Sequence, residues 1–307
     1  MESTADVGHA PVLLNEALEF LAPGASGTFC DATVGLGGHA KGILERSSPD
    51  GRLLGIDRDQ AALTLAGARL APFGDRVTLV HARFGSLRSI LENAGFLPLD
   101  GCLVDLGVSS VQLDRAERGF SFRHSGPLDM RMDQSQGETA ADFLRRADQD
   151  EIERILRDLG EERFARKIAQ AIVEVRDKET LSTTGALAGL IARVVPRRER
   201  NKDPATRSFQ ALRIALNDEL GEIERFLADA PACLRPGGRL VVISFHSLED
   251  RMAKRRFRAL AGREGDPSAE PRLRILTKHV VTASDEECAR NPRARSAKLR
   301  AVERVLI

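Results

Sequence analysis

The segment Asp31-Ala-Thr-Val-Gly-Leu-Gly-Gly-His39 sets an acid four residues ahead of a glycine run, between an apolar stretch and what reads as a helix. Glycines at such a place let the backbone turn sharply and approach a ligand closely, at the helix end whose free amides attract polar groups. Asp57 closes the next apolar stretch, 20 residues after Gly37. A carboxylate there can accept hydrogen bonds from both hydroxyls of a ribose. Strand, turn, helix, strand and acid in this order point to a nucleoside cofactor. A dinucleotide site would carry GxGxxG, whereas this run reads GLGGH. Asp31 beside the loop suits a cationic ligand, such as the amino-acid portion or sulfonium of S-adenosylmethionine. Leu234-Arg-Pro-Gly-Gly238, ahead of a later strand, is a further habit of methyltransferases.

Such residues need a parallel sheet to hold them. Strands are expected at Thr28 to Thr33, Leu53 to Ile56, Val77 to His81 and Cys102 to Leu106. Helices at Pro11 to Leu21, Gly38 to Arg46, Gln60 to Leu70 and Leu87 to Asn93 alternate with them, which implies right-handed crossovers. From Leu113 to Asp203 the rhythm changes. Ile152, Ile155, Leu156 and Leu159 recur at helical spacing, as do Phe164, Ile168, Ile172 and Val175, then Leu187, Leu190, Ile191 and Val194. Phe209, Leu212, Leu216, Leu220, Ile223 and Leu227 mark one long helix, after which strands resume at Leu240 to Phe245, Ile275 to Lys278 and Leu299 to Val305. The expected architecture is a discontinuous α/β domain, residues 1–112 and 204–307, interrupted by a helical domain, residues 113–203, for substrate recognition.

Composition narrows the setting. The chain has 307 residues, 42% hydrophobic and 30% charged, enough to bury a core without disulfides or metal. No apolar run approaches the roughly 18 residues of a membrane helix. The N-terminus, with Glu2 and Asp6, lacks the basic-then-apolar pattern of a secretory leader. Cys30, Cys102, Cys233 and Cys288 lie far apart without a CxxC pair, so neither a disulfide framework nor a zinc site is expected, and a cytoplasmic location fits. With no Trp or Tyr, any stacking ring must be Phe or His. The net charge of +1 is uneven: −5 over residues 1–110 and +8 over residues 251–307. A second basic cluster, Arg193, Arg197, Arg198, Arg200 and Lys202, joins that tail. The two together favour a polyanionic partner over a merely solvated face.

Seven motifs then follow in order: His9-Ala-Pro-Val-Leu-Leu-Asn-Glu16, the glycine run from Asp31 to His39, Gly55-Ile-Asp-Arg-Asp59, Asp105-Leu-Gly-Val-Ser-Ser110, Leu128-Asp-Met-Arg-Met-Asp133, Pro204-Ala-Thr-Arg-Ser-Phe-Gln-Ala-Leu-Arg-Ile214 and Ser244-Phe-His-Ser-Leu-Glu-Asp250. With them the chain resembles, from His9 to its C-terminus, the bacterial MraW family of small-subunit ribosomal RNA methyltransferases. The resemblance implies a class I S-adenosylmethionine-dependent methyltransferase fold, Rossmann-like, with an inserted helical domain. It implies methylation of the exocyclic N4 of a decoding-region cytidine in 16S rRNA within the small ribosomal subunit. It implies cofactor contacts at Gly37, Gly38, His39, Asp57, Phe84, Asp105 and Gln112: the glycines beside the methionine part, Asp57 on the ribose, and the Phe84 ring on adenine.

The reaction sets its own demands. The cytosine amino group is a poor nucleophile because its lone pair is delocalised, so it must be aligned with the methyl–sulfur bond and relieved of a proton. No metal is needed for this. Methylation at carbon 5 would want a nucleophilic cysteine, and Cys30 and Cys102 fall in strands. Many amino-group methyltransferases place an acid or Asn, two prolines and an aromatic after the fourth strand. Here Asp105 is kept but the ring is missing, and Phe245-His246 is the candidate substitute. His246 and Asp105 are the candidate catalytic residues; Arg131 and Arg207 could each hold a phosphate. Two other readings stay open, a methyltransferase acting on DNA or protein and a ribosome assembly factor without turnover. Monomer and homodimer are both compatible with the sequence.

Overall fold

A computed structural model describes residues 11–176, 181–196, 203–262 and 272–305. The chain divides into two compact units, residues 1–107 with 220–307, and residues 108–219.

The first unit begins with α1 (Leu14–Leu21) and then alternates: β1 (Thr28–Asp31), α2 (Gly38–Arg46), β2 (Arg52–Asp57), α3 (Gln60–Leu70), β3 (Val77–His81), α4 (Leu87–Ala94) and β4 (Leu99–Asp105). The central strands are buried on both faces, as Leu53, Leu54, Leu103 and Val104 show, so they read as continuous apolar runs. Helix α3 starts where Asp59 accepts a hydrogen bond from the Ala61 amide at 3.0 Å.

The second unit holds α5 (Ser110–Asp114), α6 (Ala140–Arg146), α7 (Gln149–Gly160), α8 (Ala165–Arg176), α9 (Thr184–Val194) and α10 (Thr206–Leu216). Its core is the predicted stripes meeting one another: Ile152 and Leu156 of α7, Ile168 and Ile172 of α8, Leu187 and Ile191 of α9, and Phe209 and Leu212 of α10. Gly160 lets α7 end tightly against α10, since a Cβ there would lie 2.7 Å from the Arg207 carbonyl oxygen.

The chain returns to the first unit with α11 (Glu219–Cys233), β5 (Leu234–Ser244), α12 (Ser247–Leu260), β6 (Leu273–Ile275), α13 (Asp285–Arg290) and β7 (Lys298–Arg304). One seven-stranded sheet results, in the order β3-β2-β1-β4-β5-β7-β6. The first five strands run parallel; β7 is antiparallel to both β5 and β6. This order with a reversed seventh strand is the class I methyltransferase sheet. The chain steps outward from β1 to β3, then crosses back to place β4 on the other side of β1. Ligands of open α/β sheets sit at such a reversal, beyond the carboxyl ends of the strands.

Two expectations change. The single helix expected from Phe209 to Leu227 is two helices, parted at Asn217 and Asp218, with Asp218 in the left-handed region at φ 50°. The cause lies far along the chain. Buried Asn217 accepts from the Met132 amide at 2.9 Å and donates to the carbonyls of Met130 at 2.8 Å and Arg213 at 2.9 Å. Helix α10, placed by periodicity in the α/β domain, consequently packs within the helical unit, which spans residues 108–219 rather than 113–203.

Candidate active site

The turn after β1 is built by short hydrogen bonds. Ala32 donates to Leu103 O at 2.8 Å, Val34 to Ile56 O at 2.8 Å and Gly37 to Val34 O at 2.7 Å. The turn is thereby tied to both neighbouring strands. Gly35 and Gly37 have φ of 50° and 79°, where side chains are rarely tolerated. A Cβ on Gly37 would meet Leu70 at 3.3 Å, and one on Gly38 would meet Pro11 at 3.1 Å. Conformation and close packing, rather than room for a ligand, therefore account for glycine at these two positions.

Three carboxylates gather at the strand ends. Asp31 is 1% exposed; its Oδ1 accepts from the Thr33 amide at 3.2 Å, and its Oδ2 is buried with no hydrogen-bond partner. Asp57 accepts from the Gly35 amide at 2.8 Å and the Asp59 amide at 2.8 Å, one on each oxygen. The Asp105 amide donates to Thr33 Oγ1 at 2.7 Å, which pins the end of β4 to the glycine turn, while Asp105 Oδ1 is buried and unpartnered. Burial pushes Asp31 up to about 7, with Asp57 adding to the effect. Burial likewise pushes Asp57 up to about 6, against the pull of the Asp59 and Gly35 amides. Asp105 is held well above the usual carboxylate range by burial, then by Asp31 and Glu249. Buried acids with unused oxygens fit a ligand that brings positive charge and hydroxyl donors. An amino acid joined through a sulfonium to a nucleoside has both.

His39, 5% exposed, faces inward: Nε2 is 2.9 Å from the Val12 carbonyl oxygen and Nδ1 is 3.7 Å from Asp105 Oδ2. Phe84 follows β3, is half-buried, and meets Phe226 edge-on with centroids 5.7 Å apart. Gln112 lies in the helical unit, 4% exposed, and closes a capping box on α5: its Oε1 accepts from the Ser109 backbone amide at 3.0 Å, and its own backbone N–H donates to Ser109 Oγ at 3.3 Å.

Beyond β5, Phe245 supplies a ring where the sequence lacks one after β4. A Cβ on Gly107, at φ 108°, would lie 3.4 Å from the Phe245 ring, so the ring lies against the Asp105-Leu-Gly loop. His246 follows, with Nε2 3.0 Å from Glu249 Oε1. Glu249, 1% exposed, was not singled out by the sequence; its Oε2 accepts from the amides of Phe245 at 2.8 Å and His246 at 3.2 Å. An acid three residues into a helix is a known cap signal, and His at the preceding cap position disguised it.

Other expectations fare differently. Arg131 is engaged by Asp129 through two bonds of 2.8 and 3.0 Å and donates to Gly137 O at 3.3 Å, so its guanidinium is a structural strut rather than a phosphate holder. Arg207 is exposed on α10 without a carboxylate partner among the described residues. Arg197, Arg198, Arg200 and Lys202 lie outside the described residues. Cys30 and Cys102 are buried register partners of β1 and β4, and contact with Cys102 together with burial holds the Cys30 thiol well above its ordinary value. Such a thiol is a poor nucleophile.

The profile of the MraW methylase family matches residues 6–305. The chain belongs to this family. Among its relatives is the ribosomal RNA small subunit methyltransferase H of Trichlorobacter lovleyi, 52% identical, with 97% of this chain and 98% of the relative aligned. The protein of that name from Nitratidesulfovibrio vulgaris is 51% identical over 97% of this chain and 95% of its own length. That from Symbiobacterium thermophilum is 50% identical over 96% of each. Membership makes the class I sheet and its acid-lined switch point the framework of a methylase. Among the described residues, no helix is long and apolar enough to cross a membrane.

Proposed function

We propose that the chain is a cytoplasmic S-adenosylmethionine-dependent methyltransferase that modifies the exocyclic N4 of a decoding-region cytidine in 16S rRNA, within the small ribosomal subunit. The observation that carries the cofactor reading is the convergence of Asp31, Asp57 and Asp105 at the switch point, two of them with unused buried oxygens. The rRNA substrate is supported by relatives near half identity along almost the whole chain that bear that name.

S-adenosylmethionine supplies a methyl group on a cationic sulfur. Asp57 accepts the ribose hydroxyls, its two amide bonds holding both oxygens in place. Asp31 and Asp105 face the positive charge, and with a cation nearby both shed their protons. Gly37, Gly38 and His39 shape the turn on which the methionine part rests, and Phe84 lies beside adenine. Gln112 is carried by the family resemblance alone. For the nucleobase, the Phe245 ring against Gly107 takes the place of the absent aromatic after β4. His246, steadied by Glu249, positions the cytosine amino group or accepts its proton as the nitrogen attacks. The helical unit recognises rRNA.

Mass spectrometry of 16S rRNA from cells with and without the gene tests the reading directly. An N4-methylcytidine that disappears with the gene and returns on adding the protein and S-adenosylmethionine is expected. Methylation of DNA or of a protein, with the rRNA unchanged, would overturn it.

A further inference from the structure

Helix α11 buries one face, and an acid stands in it. Ile223, Phe226, Leu227 and Ala230 recur on the inward side, and Glu222, 3% exposed, stands among them. For packing alone an apolar side chain would serve better there, since an ionised group loses its hydration on burial. Glu222 is fully engaged. Its Oε2 accepts from the Gly85 amide at 2.9 Å, and its Oε1 accepts from Arg225 at 2.6 Å, with Arg83 3.8 Å away. The side chains of Arg83 and Arg225 are 38% and 50% exposed, whereas Gly85 is buried. Water can replace Glu222 for the arginines but not for the Gly85 amide.

Gly85 belongs to the turn that carries Phe84. A short helical turn, Phe84–Ser86, follows β3, and the early amides of such a turn find no partner within it. Glu222 supplies one. The approach is close: a Cβ on Gly85 would lie 2.7 Å from Glu222 Oε2. One turn further along α11, Phe226 meets the Phe84 ring edge-on, with 5.7 Å between centroids and 84° between planes. At the other end of the segment, the Ala82 amide donates to the backbone carbonyl of Asp57 at 3.0 Å. The stretch from Ala82 to Gly85 is thus tied to Asp57 on one side and to Glu222 on the other. Phe84 sits between the two ties.

We propose that Glu222 is a positioning residue for the adenine end of the cofactor: through Gly85 it fixes the turn, and so the ring of Phe84, where a flat base can lie on it. The proposal rests on the reading of Phe84 as the adenine contact and adds the residue that holds it. A ring contact depends on offset and tilt, and a gap of about 1 Å forfeits a good part of it. Because Glu222 acts through another side chain, it should affect the cofactor only while Phe84 is present.

Calorimetric titration of the full-length chain with S-adenosylhomocysteine tests this, with urea denaturation alongside. Glu222→Asp keeps the charge but shortens the reach by one methylene, about 1.5 Å. It should weaken binding roughly 2- to 12-fold, the worth of one well-placed aromatic contact. Glu222→Gln keeps the acceptor and should stay within about twofold of wild type. In a Phe84→Ala background, Glu222→Asp should change affinity no further although it still lowers stability. Phe226→Leu, which loses the ring edge but keeps apolar contact, should show the same dependence on Phe84, so the result does not rest on one variant folding. A Glu222→Asp effect that persists undiminished without Phe84 would overturn the proposal alone. So would wild-type affinity in Glu222→Asp while Phe84→Ala weakens binding. Phe84→Ala at wild-type affinity would remove the adenine reading of that ring as well, and a wild type that does not bind S-adenosylhomocysteine would overturn the functional reading itself.

Discussion

His39 Nδ1 stands 3.7 Å from Asp105 Oδ2 while its Nε2 lies 2.9 Å from the Val12 carbonyl oxygen. The imidazole thus braces the carboxyl end of β4 against the segment leading into α1, beneath the glycine turn. Its ring is nearly buried, with one nitrogen toward Asp105 and the other toward Val12. His39→Ala should cost about 1–3 kcal/mol of stability, since a buried bond is lost and a space opened. Urea denaturation measures this. Full stability with cofactor binding abolished would make His39 a direct ligand instead.

Asp57 satisfies the Gly35 and Asp59 amides, so its loss should be felt in folding as well as in binding. Asp57→Ala is expected to weaken S-adenosylmethionine by about 1–3 kcal/mol, roughly 5- to 150-fold. Calorimetry on the folded variant decides the assignment; an unchanged affinity would remove the ribose role.

The pH dependence of the free chain follows from Asp31. Its carboxyl, raised from 3.8 to about 7, keeps a proton in the folded chain that the unfolded chain has released. Its contribution is therefore full below the unfolded value and declines as pH rises through the window up to about 7. Asp31→Asn should raise the melting temperature of the ligand-free protein at pH 8 more than at pH 5. Binding of the cationic cofactor should run the other way in the wild type, tightening as Asp57 and Asp31 ionise through about 6 to 7. A flat affinity between pH 5 and pH 8 would contradict the charge pairing.

Turnover separates the two candidate catalytic residues. His246→Ala should slow single-turnover methylation of the subunit by about 10²–10⁴-fold at saturating cofactor, with cofactor affinity nearly intact. Asp105→Ala should impair both, because that acid shares the switch point with Asp31. A His246→Ala enzyme within about threefold of wild type would leave His246 as a cap of α12 and place the burden on alignment.

The helical unit offers a packing test. In Gly160→Ala the new Cβ would sit 2.7 Å from the Arg207 carbonyl oxygen, so α7 and α10 must move apart. A loss of about 1–3 kcal/mol is expected by chemical denaturation. Wild-type stability would mean that the crossing is looser than these distances.

The sequence by itself determined the features that a few neighbouring residues settle. The glycine turn, the acid ending β2, the strand–helix alternation and the helical stripes around Ile152, Ile168 and Leu187 were all legible, because turn chemistry and periodicity act locally. The tertiary structure decided what depends on residues distant in the chain. Asp31 and Asp105 become neighbours only through the pairing of β1 with β4, and their unused oxygens and raised proton affinities exist only once water is excluded. Phe245 comes to lie against Gly107 only because β5 pairs with β4. The break at Asn217 interrupts a flawless apolar stripe, since buried bonds to Met130 and Met132 outweigh the local preference to continue the helix. Register and burial are set by the packing of the whole sheet and bundle, and no local pattern encodes them.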